Sequence, residues 1–167
     1  MAINVKVKGL EKLRDALQKS FTGTFNASFN LMLAKKARDI IYKRTKAGRG
    51  VTAIGPRAQP ARLARLSTPY VERRKRTGVT GPFGSPGKSN LTYSGQMLES
   101  IRVQASARGF RVEIPNTKRA NSNLSNSQVA QHVQDNGRPF FALTEDEIQI
   151  LVREIEREVR KLTRRKL

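Results

Sequence analysis

The chain has 167 residues, enough for one domain with a real core. Its 33 Lys and Arg face 13 Asp and Glu, a formal net charge of +20 that points to a polyanion or a strongly acidic protein as partner. There is no cysteine, which excludes disulfides and thiolate metal sites, and no apolar run nears the ~18 residues of a membrane span.

Ile3, Val5 and Val7 alternate with Asn4, Lys6 and Lys8, which predicts a half-buried strand ended by Gly9. The same segment lacks the apolar core of a secretory signal, so synthesis in the cytoplasm with no membrane partner is expected. Leu10, Leu13 and Leu17 recur at helical spacing, giving a short helix to about Lys19. Asn26 or Ser28 can cap a longer helix with Phe29, Leu33, Ala37, Ile40 and Ile41 on its apolar side, stopped by Gly48 and Gly50.

Residues 46–92 hold five of the seven prolines, many glycines and clusters of basic residues. The low hydrophobic fraction of the whole chain, 37%, suits a segment that is extended or ordered only by neighbours. The span reads as a long basic arm inserted in a single domain, 1–167. Within it PARLARL (60–66) can make a turn or two of helix, limited by Pro69.

Ile101, Val103 and Ala105, then Phe110, Val112 and Ile114, alternate with polar residues about Ser106–Gly109. That pattern predicts a β-hairpin closed by Pro115. An Asn/Ser loop follows at 116–128, and VAQHVQ (129–134) fits another strand or a helical turn. The last helix is the clearest. Thr144 and Glu147 form a capping box, and Leu143 and Ile148 hold the positions of a hydrophobic staple. Ile148, Leu151, Val152, Ile155, Val159 and Leu162 make one stripe, while Ile150 points the opposite way. The order β-α-α-(arm)-β-β-(β)-α predicts an α+β fold, with two or three helices on a small, mainly antiparallel sheet.

Chemistry is hard to assemble from these residues. Gly87-Lys88-Ser89 looks like the end of a phosphate-binding loop, but Pro82 stands where the pattern needs glycine, and no hydrophobic strand precedes it. His132 is the sole histidine and has no carboxylate placed to orient it, so it reads as a partly buried strand-edge residue. Asp135 with Glu145, Asp146 and Glu147 suggests a metal only weakly, since capping and the helix dipole explain the trio. No cofactor, metal or catalytic residue is expected, and the chain does not read as an enzyme.

Charge is the stronger signal. Residues 31–76 carry fourteen Lys and Arg against two acids. Arg62, Arg65, Arg73, Arg74, Lys75 and Arg76 are the candidates for contact with phosphates or an acidic protein surface. No motif for base-specific readout is present. A second candidate surface is Arg138-Pro139-Phe140-Phe141. If this stretch is extended, one ring enters the core and the other is free for a neighbour. Ile150 is a further interface candidate.

Three segments in this order resemble the neck and tail-completion proteins of tailed bacteriophages. They are GLEKLRDAL (9–17) after the opening strand, LTYSGQMLESI (91–101) before the hairpin, and VAQHVQDNGRPFFALTEDE (129–147) before the last helix. Together they span most of the chain outside 46–90. Two features depart from the family's pattern: the long arm, and Phe141-Ala142 where Leu-Gly is common. The resemblance implies a structural virion protein, assembled in the host cytoplasm. It implies a ring of six or twelve subunits between the head connector and the tail terminator or tail tube. It implies no catalytic residues. The rival expectation, from charge alone, is a basic nucleic-acid-binding module, ribosome-associated or DNA-packaging. In the ring reading, contact with genome DNA would be non-specific.

Overall fold

The structure is a computed structural model that describes residues 26–55, 57–77, 91, 95–119 and 123–164. The strand expected at 3–7, the helix expected at 10–19 and the loop 84–90 lie outside the described residues. The fold is α+β, with antiparallel strands and a long C-terminal helix.

The first described helix, α1, spans Ala27–Lys46. Asn26 caps it, its Oδ1 accepting from Phe29 N at 3.0 Å. Leu33, Ala37 and Ile41 recur every fourth residue and are buried, with Asn30, Ala34 and Thr45 beside them. Lys43, Arg44 and Lys46 stand in the last turn, where the helix dipole favours cations. Gly48 then turns the chain away at φ 81°, a conformation that favours glycine.

The described residues of the expected arm up to Thr77 are folded. Strands β1 (Arg49–Val51) and β2 (Pro60–Arg62) pair antiparallel, and helix α2 (Thr68–Arg76) follows. The hairpin is docked on the rest of the chain. Val51 N donates to Pro139 O at 2.9 Å, and Leu63 N donates to Gly48 O at 3.1 Å. Gly50 makes this approach possible, since a Cβ there would lie 2.4 Å from the Pro139 carbonyl. Pro69 does not limit a helix at 60–66. It sits in the first turn of α2, where its fixed φ suits helix initiation.

After the short helix α3 (Gln96–Glu99) comes the expected hairpin, β3 (Arg102–Ser106) with β4 (Gly109–Glu113). Helix α1 packs across it, and Asn30 Nδ2 donates to Ser106 O at 2.7 Å. The two hairpins are separate ribbons and do not form one sheet. VAQHVQ is part of a helix, α4 (Asn126–Asp135). Ser125 and Gln128 form its capping box, with bonds of 3.2 and 2.8 Å. The last helix, α5, spans Glu145–Arg164 and starts as expected. Thr144 N donates to Glu147 Oε2 at 2.9 Å, and Glu147 N donates to Thr144 Oγ1 at 3.4 Å.

One apolar cluster joins these elements. Ile41 of α1, Leu98 of α3, Val112 of β4, Ala130 of α4 and Leu151 of α5 meet around Phe140 and Phe141. Both rings are fully buried, with centroids 6.0 Å apart in an edge-to-face arrangement. The expectation of one inward and one outward ring fails because the backbone bends at Phe141 and Ala142. The alternation of an extended segment does not apply there.

Candidate partner-binding surface and cleft

Between residues 47 and 77 stand seven arginines and one lysine, with Glu72 the only acid. The hairpin places Arg49 directly opposite Arg62, a like-charge pair that disfavours the ladder on its own. Arg62, Arg65, Arg73, Lys75 and Arg76 are exposed. Lys75 is paired with Glu72 at 2.8 Å. Arg74 departs from the expected row of surface contacts. It is 3% exposed and turned into the fold, because one face of α2 packs inward.

The Arg-Pro-Phe-Phe stretch is held from both sides. Arg138 Nη2 donates to Arg65 O at 2.7 Å, which ties it to the segment between β2 and α2. Pro139 offers its carbonyl to β1. Arg44 of α1 grips the following turn. Its Nη2 donates to Phe140 O at 2.5 Å and Ala142 O at 2.7 Å, and its Nη1 donates to Glu147. Burial pushes the Arg44 pKa below its ordinary value, and Glu147 opposes that shift. The same Glu147 carboxylate therefore caps α5 and neutralises Arg44. Sequence reasoning passed over this role, although Arg44 stands three residues after buried Ile41 on the inward side of α1.

Beside Arg138 the structure opens a cleft of about 150 Å3. Leu66 and α2 form one side with Tyr70 and Arg74, and α4 forms another with Val129 and Val133. Leu91, Gly95, Met97, Arg119 and Arg138 complete it. Three arginines and five apolar residues are thus among its described lining. The volume is about ten times the ~10–15 Å3 that admits one water and about half the ~300 Å3 at which small-molecule sites begin.

The other expected site residues do not gather here. Phe140 and Phe141 are sealed in the core and offer nothing to a neighbour. Ile150 is half-buried on α5 and joins none of the described apolar clusters. His132 is exposed on α4, so it is not a strand-edge residue. Among the described residues no group of three or more His, Asp or Glu lies close enough to hold a metal. No helix among them is long and apolar enough to cross a membrane. No protein-family model matches the chain, and no curated protein or solved structure does either.

Proposed function

We propose that this chain is a structural virion protein, a neck or tail-completion ring subunit that joins the head connector to the tail. The observation that carries the reading is the order of the three segments resembling that family. It is supported by the meeting of two of them in one core, where Met97, Leu98 and Ile101 pack with Phe140, Phe141 and Leu143. A head-to-tail ring uses two different surfaces on each subunit. The basic hairpin with α2 supplies one. The start of α5, where Glu145 and Asp146 are exposed, supplies a surface of opposite sign. The buried Phe pair acts as the joint that holds Arg138 and the hairpin in place. The virion is the proposed location, with six or twelve copies of the chain and the connector, tail terminator or tail tube as partners.

The test is reconstitution. Purified protein should join tails to heads isolated from particles lacking it, in a reaction weakened by salt. Failure to bind either half at any salt would overturn the proposal. The exposed row of arginines favours one second reading, a nucleic-acid-binding module. It requires tight binding to duplex DNA or RNA with a steep negative salt slope. Negligible binding near physiological salt would remove it.

A further inference from the structure

We infer that Asn136 is a site of spontaneous deamidation, paced by the turn that closes α4, and that its isoaspartate product loosens the anchor of the β1–β2 hairpin. The inference stands on that turn and owes nothing to the ring, which is measured separately.

Asn136 and Gly137 form the sole Asn-Gly step of the chain. Both are exposed, and nothing lies within 4 Å of the place where a Gly137 Cβ would stand. Glycine therefore leaves its own nitrogen open to the preceding side chain, as no bulkier residue does. The reaction needs only these two residues and water. The Gly137 nitrogen attacks Cγ of Asn136, and the new C–N bond closes a cyclic imide. The bond from Cγ to Nδ2 breaks, and Nδ2 leaves as ammonia with the proton given up by Gly137. Water then opens the imide at either carbonyl, giving aspartate or isoaspartate. Water enters and ammonia leaves, with no oxidant, reductant or metal.

The fold restrains both reacting groups. Gly137 N, the nucleophile, donates to Gln134 O at 3.1 Å. Asn136 Nδ2, the leaving group, donates to His132 O at 2.7 Å. Asn136 also caps α4, with φ −85° and ψ 29°. Ring closure requires both bonds to break and the backbone between the two residues to rotate. Openings of this kind cost least at an exposed helix end. Fraying of the last turn of α4, and not global unfolding, thus sets the rate.

The residues that follow make the product matter. Arg138 N donates to Val133 O at 3.2 Å, and Arg138 Nη2 donates to Arg65 O at 2.7 Å. Pro139 O accepts from Val51 N at 2.9 Å. These bonds tie α4 to the hairpin. Isoaspartate adds a methylene to the main chain at position 136, directly ahead of them, and lengthens the link.

The experiment incubates the full chain in mildly alkaline buffer, folded and in urea. Peptide mass spectrometry follows Asn136 and separates the aspartate and isoaspartate forms. The folded chain should convert at Asn136 roughly ten- to a hundredfold more slowly than the unfolded chain. Buried Asn126, which precedes Ser127, should stay intact in the folded chain. Hydrogen exchange at the Val51 amide should be at least about threefold faster in the isoaspartate form than in fresh protein. Asn136→Ser protein, aged alike, should keep its original Val51 exchange. A folded rate within about twofold of the unfolded one, or conversion of Asn126 alongside Asn136, overturns the pacing by the turn. No conversion in the folded chain after the unfolded chain has reacted fully overturns the site itself. Unchanged Val51 exchange in the isoaspartate form, or the same change in aged Asn136→Ser protein, overturns the link to the hairpin. A chain that deamidates as expected but forms no ring leaves the inference standing and removes only the neck reading.

Discussion

At the scale of single residues, Arg44 ties α1 to the turn before α5 through two carbonyls and the Glu147 carboxylate. Arg44 side-chain exposure is 8% and that of Glu147 is 13%, so neither charge is left to water if the other is removed. Arg44→Ala should cost about 3 kcal/mol in urea unfolding, since Glu147 and two carbonyls lose their donor. A loss under about 0.5 kcal/mol would mean that the pair is solvated like an ordinary surface contact. Phe140→Ala and Phe141→Ala should each cost roughly 3–5 kcal/mol as buried large-to-small changes. The defect should therefore appear in folding of the isolated chain, before any assembly. The capping box of Thr144 and Glu147 was legible in the sequence because its partners are three residues apart. Arg44 was not, because its partner lies 103 residues away and in the sequence it counts only as one of the fourteen cations of residues 31–76.

At the scale of elements, β3–β4 was legible because five-residue strands alternate clearly around a short turn. β1–β2 was not, since its strands have three residues each, one begins with proline, and their docking depends on the remote Pro139 carbonyl. Helix α4 was hidden because its capping pair sits in an Asn/Ser-rich run that resembles a loop. The docking predicts that Gly50→Ala will be costly. The clash is with backbone and cannot be relieved by a rotamer change, so a loss of roughly 1–3 kcal/mol is expected by chemical denaturation. The α1–α5 contact has its own signature. Lys36 bonds Glu154, and Arg157 adds a second cation. Lys36 above all holds the Glu154 carboxyl below its ordinary value of 4.5. A depressed folded-state pKa gives stability that is complete above the unfolded value and is lost as pH falls through the folded one. Glu154→Gln should therefore flatten the acid limb of stability below about pH 4.5 and change its slope little above pH 6. An unchanged acid limb would contradict the pairing.

At the scale of the whole molecule, charge is divided by region. Residues 47–77 carry eight cations and one acid, while α5 places six acids among five cations and opens with Glu145, Asp146 and Glu147. The described part of the expected basic arm is therefore a folded, charged face anchored to the core through Arg138 and Pro139. The expected aromatic contact is instead the anchor's interior. Those reassignments depend on contacts between residues far apart in the chain, which local patterns do not encode. They concentrate the proposed ring contacts on arginines and carboxylates. Substituting Arg62, Arg65 and Arg73 together by Gln should preserve the fold of the isolated chain and block joining of heads to tails. Since all three are exposed, the stability change should be small. The central claim is most directly tested by native mass spectrometry with electron-microscopic class averages of the purified protein and of its mixture with isolated tails. The account predicts closed rings of six or twelve subunits, alone or seated on the tail end. A monomer in both samples, with no density added to the tail, would contradict it.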